Sequence, residues 1–154
     1  MNVKLINPFV ESFNHVMGQL GFSDIKTGDL SVKGREIICS GVILVVGIVG
    51  DIKGNIVYVM GIEEAKQVAS TMMMGMPVTE LDAISTSSLS ELSNMLSANA
   101  ATNFSKVGYI VDISTPTFIQ GDDIKIAMGS DKVLCVQMHA SGIPMDVNIS
   151  FEQK

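Results

Sequence analysis

A chain of 154 residues has room for one domain with a sizeable core and not for two, and the reading is a single domain over residues 1–154. With 47% hydrophobic and 17% charged residues it is too apolar for a disordered segment, and this composition suggests that a second subunit covers some of its surface. A net charge of −6 and a pI near 4.7 exclude the basic face that nucleic acid requires and disfavour an anionic membrane surface.

Residues 5–20 read as a first helix. Phe9, Phe13, Val16, Met17 and Leu20 share one face, Pro8 is tolerated in the first turn, and Gly21 is a stop. Pro8, Glu11, Asn14 and His15 also interrupt any signal-peptide core, and the apolar run 41–50 is about half of what a membrane-spanning helix needs. The expectation is a cytoplasmic protein with no membrane insertion.

From Ile25 the period changes to that of extended chain. Residues 30–39 read as a mixed connection broken by Gly34. Residues 40–51, dominated by Val, Ile and Leu, read as a buried central strand, turned at 51–55 around Gly54 and answered by a partner strand over 56–60. Residues 61–74 form a second helix. Glu63 and Glu64 sit at its positive end, and Ile62, Ala65, Val68, Ala69, Met72 and Met73 lie on one face. The methionines from Met72 to Met76 read as a core-facing helix end in preference to an adaptable partner surface.

The next helix starts between Thr79 and Ser87 and ends at Gly108. Leu89, Leu92, Leu96, Ala100 and Val107 recur at helical spacing on one face. Ser87, Glu91, Asn94, Ala98 and Ser105 fall on the opposite face. A solvated helix face normally carries Lys, Glu, Arg and Gln. This one carries Ser and Ala, with one carboxylate and one carboxamide standing above them. Small neighbours let another backbone approach, and Glu91 and Asn94, three apart, point the same way. On pattern alone the favoured reading is an ordinary polar face.

Four strands in a meander complete the chain. Residues 109–114 with 116–119 are the first, with Pro116 at a strand edge or break. Gly121, Asp122 and Asp123 then turn the chain into 124–128, followed by 133–139 and 145–151. Two halves, each a helix followed by antiparallel strands, suggest an internal duplication and an α+β fold: one mostly antiparallel sheet with helices packed on a face. Cys39 and Cys135 lie in apolar, strand-like runs and read as buried thiols in preference to a bridge. No nucleophile elbow, P-loop, dinucleotide fingerprint or zinc motif is present, and His15 and His139 stand apart.

Ser87-x-x-x-Glu91-x-x-Asn94, followed by Pro116 on the next extended segment, resembles the signature of the CheC/CheX/FliY family of bacterial chemotaxis phosphatases. One such motif in the chain is more similar to the CheX branch than to CheC, which carries two. The resemblance implies a CheC-like fold and hydrolysis of the acyl phosphate on a phosphorylated CheY-like response regulator. The regulator would supply Mg²⁺ and a lysine, and this chain would bind no cofactor or metal of its own. Asn94 would orient the attacking water, and Glu91 would dock on the regulator lysine. Ser87, Ala98 and Pro116 would belong to the contact surface, and the resemblance also implies a homodimer. A non-catalytic regulator-binding adaptor and a purely structural dimerisation module are the alternatives. The first helix carries an echo, Asn7-x-x-x-Glu11-x-x-Asn14, with no proline at the matching distance. It is either a degenerate first site or chance, and a structural helix is the favoured reading.

Overall fold

The fold is described from a computed structural model over residues 3–153, so the domain reading at positions 1, 2 and 154 lies outside it. After a 3₁₀ turn at Val3–Ile6 come helix α1 (Asn7–Gln19) and strands β1 (Lys26–Lys33), β2 (Glu36–Gly50) and β3 (Ile52–Met60). Helices α2 (Ile62–Met72) and α3 (Ala83–Lys106) follow, then β4 (Val111–Ile113), β5 (Thr117–Ala127), β6 (Val133–Ala140) and β7 (Ile143–Gln153).

The strands form one antiparallel seven-stranded sheet in the order β1-β6-β7-β3-β2, with β4 and β5 both paired to the far side of β2. Alternation along the strands sends one set of side chains toward the helices. Val42, Leu44, Val46 and Ile48, with Ile56, Tyr58, Val147, Ile149 and Val136, meet Phe9, Phe13, Met17, Leu89, Leu92 and Leu96 in the main core. The opposite face has its own smaller cluster of Ile37, Cys39, Ile43, Val57, Met128 and Val133. Both cysteines are buried free thiols, and burial pushes each of them above the ordinary thiol range.

The sheet order makes the suggested duplication visible as topology. The hairpins β2–β3 and β6–β7 meet at the centre through β3 and β7. Each half lends its remaining strand to the other, so that β1 borders β6 and β5 borders β2. The two halves therefore interlock as one sheet. The helices repeat as well. Phe9, Ser12, Phe13, Val16 and Met17 of α1 are buried in the same order and spacing as Leu89, Leu92, Ser93, Leu96 and Ser97 of α3.

Several expectations need correction. Residues 30–39 are strand on either side of a break at Gly34 and Arg35, because β1 runs to Lys33 and β2 starts at Glu36. Gly121, Asp122 and Asp123 do not turn the chain. They form a bulge inside a continuous β5, opposite a matching irregularity at Cys39 and Gly41 of β2. Asp123 takes φ 51°, and its N–H donates to Ser40 Oγ at 2.9 Å. Val107 does not join the core: the helix stops at Lys106 and Val107 is exposed. Phe104 takes the inward place, in edge contact with Phe9, Tyr109 and Phe151. The methionine run divides, with Met72 and Met73 half-buried and Met74 and Met76 exposed.

Candidate functional site

Helix α3 begins where its sequence allows an early cap. Asp82 accepts the Ser85 N–H and O–H at 2.9 and 2.8 Å, satisfying a donor that the first turn would otherwise leave unpaired. These bonds, the backbone one first, hold the Asp82 carboxyl below the usual carboxylate range. The other end closes at Gly108, in the left-handed region at φ 95°.

Between the caps, α3 is fastened from below. Tyr58 and Ser97 share a buried hydrogen bond at 2.9 Å, tying the helix to the middle of the sheet. The Ser12 hydroxyl donates to the Leu96 carbonyl, and the Asn103 amide donates to the Pro8 carbonyl at 3.0 Å, tying α3 to α1. Small Ser and Ala side chains on the inner face let the two helices approach closely. The helix is therefore rigid, with its rotation fixed by three side-chain bonds as well as by apolar packing.

That rotation sends Ser87, Glu91 and Ala98 to the exposed outer face, with Asn94 half-exposed beside them. Among the described residues, neither the Glu91 carboxylate nor the Asn94 amide has a hydrogen bond or ion pair. Nearby hydroxyls are already used: Ser88 donates to the Ile84 carbonyl and Thr102 to the Ala98 carbonyl. So the face offers one anion and one carboxamide, uncommitted and three residues apart, with the exposed Ser87 hydroxyl one turn before Glu91.

Pro116 is not part of α3. It lies half-buried between β4 and β5, immediately before the ladder with β2 begins at Thr117 opposite Val45. A residue without an N–H suits that start. Glu11 and Asn14 are exposed on α1, at the positions that correspond in burial register to Glu91 and Asn94. Glu11 lines a cleft of about 320 Å³ with Asn7 and Asn103. Among the described residues no three His, Cys, Asp or Glu side chains gather to hold a metal ion, and no helix is long and apolar enough to cross a membrane.

One feature of the surface was not read from the sequence. A shallow open groove runs from Met72 past Ala83, Ile84, Ser87 and Ser88 to Glu91. Ile84 belongs to it because α3 starts at Ala83. The Asp82-x-x-Ser85 capping pattern is the signal that would have placed that start.

Architecture and site together define a CheC-like α+β protein that presents a helix. A CheC-like superfamily protein from Shewanella shares the fold at a TM-score of 0.82 and 27% identity, with 99% of each chain covered. Residues 42–139 match the family described as chemotaxis phosphatase CheX. The CheY-P phosphatase CheX of Thermotoga maritima is 32% identical over 126 residues, covering 82% of this chain and 81% of the relative. The chain belongs to the CheX family. A solved CheX-CheY-BeF3-Mg²⁺ complex from Borrelia burgdorferi matches with a TM-score of 0.81 and 28% identity, over 96% of this chain and 97% of the other.

Proposed function

We propose that this protein hydrolyses the phosphoaspartate of a CheY-type response regulator in bacterial chemotaxis, acting in the cytoplasm and completing an active site that the regulator largely supplies. The observation that carries this reading is the pair of uncommitted side chains, Glu91 and Asn94, on the rigid outer face of α3. The family and the CheX–CheY complex of the Borrelia relative support the choice of partner.

The chemistry asks little of this chain. An acyl phosphate is already reactive, so fixing a water in line with phosphorus supplies most of the acceleration. The Asn94 carboxamide can accept from and donate to that water at once. The water oxygen forms the new bond to phosphorus, the bond to the aspartyl oxygen breaks, and the carboxylate leaves with its electron pair. Inorganic phosphate departs, and the proton passes to phosphate or solvent. Glu91 pairs with the regulator's lysine and sets the depth and angle of docking. Ser87 and Ala98 allow close approach, and Pro116 shapes the crossing from β4 into β5. The Mg²⁺ in the relative's complex belongs, on this reading, to the regulator.

The roles separate kinetically. In a phosphate-release assay with phosphorylated regulator, Asn94→Ala lowers turnover about 100-fold. Glu91→Lys instead raises the half-saturating regulator concentration. Full turnover by a folded Asn94→Ala protein would remove Asn94 from the chemistry.

The proposal includes a homodimer. Strand β1 is exposed along its length and has no strand on its outer side among the described residues. It carries Leu30 and Val32 at 47% and 64% exposure, which suits pairing with a second copy.

A further inference from the structure

All three helices end in the same way. In α1 the N–H of Phe22 bonds the Met17 carbonyl and that of Gly21 bonds the Gly18 carbonyl. In α3 the N–H of Tyr109 bonds the Phe104 carbonyl and that of Gly108 bonds the Ser105 carbonyl. In α2 the N–H of Gly75 bonds the Ser70 carbonyl and that of Met74 bonds the Thr71 carbonyl. Each is a Schellman motif, whose penultimate position must be left-handed and favours glycine. Gly21 and Gly108 fill it at φ 96° and 95°, but in α2 it holds Met74 at φ 60°.

A methionine there strains the backbone and gains nothing from its own fold, because Met74 is 96% exposed. The loop is not loose, since Val78 and Leu81 pack against the main core. It therefore holds Met74 outward. Met72, two residues before Met74, lines with the 63% exposed Ile84 the groove that reaches Glu91. Between Met72 and Leu89 the only charged residues are Glu80 and Asp82, and Asp82 is engaged in the cap. An apolar lip thus continues the motif face beyond its N-terminal end.

We infer that Met74 and Ile84 form a docking lip that seats an uncharged, apolar surface of the response regulator beside its phosphorylation pocket, and that this contact sets affinity and choice among regulators. The inference rests on the proposed function, because it is that reading which puts the regulator on this face. Methionine suits the task, since its flexible, polarisable side chain adapts to differently shaped partners.

The test uses Met74→Gly with Ile84→Ser in the full chain. Binding is measured by titration with a CheY regulator loaded with beryllofluoride and Mg²⁺, and turnover with the phosphorylated regulator. The expected result is about a tenfold weaker dissociation constant and a matching rise in half-saturation, with turnover at saturation unchanged. Met74→Gly alone raises the melting temperature by about 2 °C while weakening binding, a pairing of signs that a structural role would not produce. Unchanged binding, or an altered self-association in place of altered regulator binding, overturns the inference. Asn94→Ala is run in parallel. If it abolishes turnover while the lip variant binds normally, the lip alone is wrong. If it keeps full turnover while the lip variant binds weakly, the lip stands and the catalytic reading fails.

Discussion

Tyr58 shows at the scale of one residue how the sheet holds the helix it presents. Its ring is buried and its hydroxyl shares a 2.9 Å bond with Ser97. Burial, only partly offset by that bond, pushes the phenol above its ordinary range, so it stays neutral in the fold. A raised acid favours the folded state fully below the unfolded pKa of about 10, and that share is lost as pH rises above it. Tyr58→Phe removes the bond and leaves Ser97 without its partner, which costs about 1 kcal/mol at neutral pH. In urea denaturation the variant loses stability less steeply than the natural chain above about pH 10. An equal alkaline slope in both proteins would show that this phenol is not the group being titrated.

At the scale of the element, α1 and α3 occupy matching places in the two halves. Their buried positions share one register, and Glu11 and Asn14 occupy the places of Glu91 and Asn94. The halves differ beyond the helix: α3 leads to Pro116, whereas no proline follows α1 at the matching distance. The double change Glu11→Ala and Asn14→Ala therefore leaves regulator turnover within about twofold. A loss comparable to that of Asn94→Ala would make α1 a working second site.

The α3 stripe of Leu89, Leu92, Leu96 and Ala100 was legible because four positions repeat at helical spacing. Its extension to Val107 was not sound. The chain is already leaving the helix there for Gly108, and Phe104 fills the inward position instead. The bulge in β5 was misread for a related reason. Gly-Asp-Asp suits a turn and a bulge equally, and only the pairing with β2 decides between them. Met74 was illegible because its neighbours Met72 and Met73 do turn toward the protein. Met74 itself takes the left-handed conformation at the end of α2, and its side chain stands outward.

At the scale of the molecule, the interlocked halves make a sheet whose middle is fixed and whose edges are available. The exchange of β1 and β5 leaves long strands at the rim, and β1 shows Leu30 and Val32. On the proposed pairing of two β1 edges, Leu30→Lys with Val32→Lys yields a monomer in sedimentation, without loss of the fold, because neither side chain is buried within one chain. A dimer that survives both charges must use another surface. The fold class and element order were legible in the alternation of helical and strand periods. The strand exchange was not, because it depends on pairing between residues far apart in sequence.

The whole arrangement exists, on this account, to present one carboxamide on a fastened helix. The most direct measurement is the lifetime of phosphorylated CheY regulator mixed with a small fraction of its amount of this protein. The account predicts many regulator molecules dephosphorylated per chain, and a lifetime returned nearly to its unassisted value by Asn94→Ala in a protein that still folds and still binds the beryllofluoride-loaded regulator. Stoichiometric binding with no shortening of the lifetime, or full activity after Asn94→Ala, would contradict it.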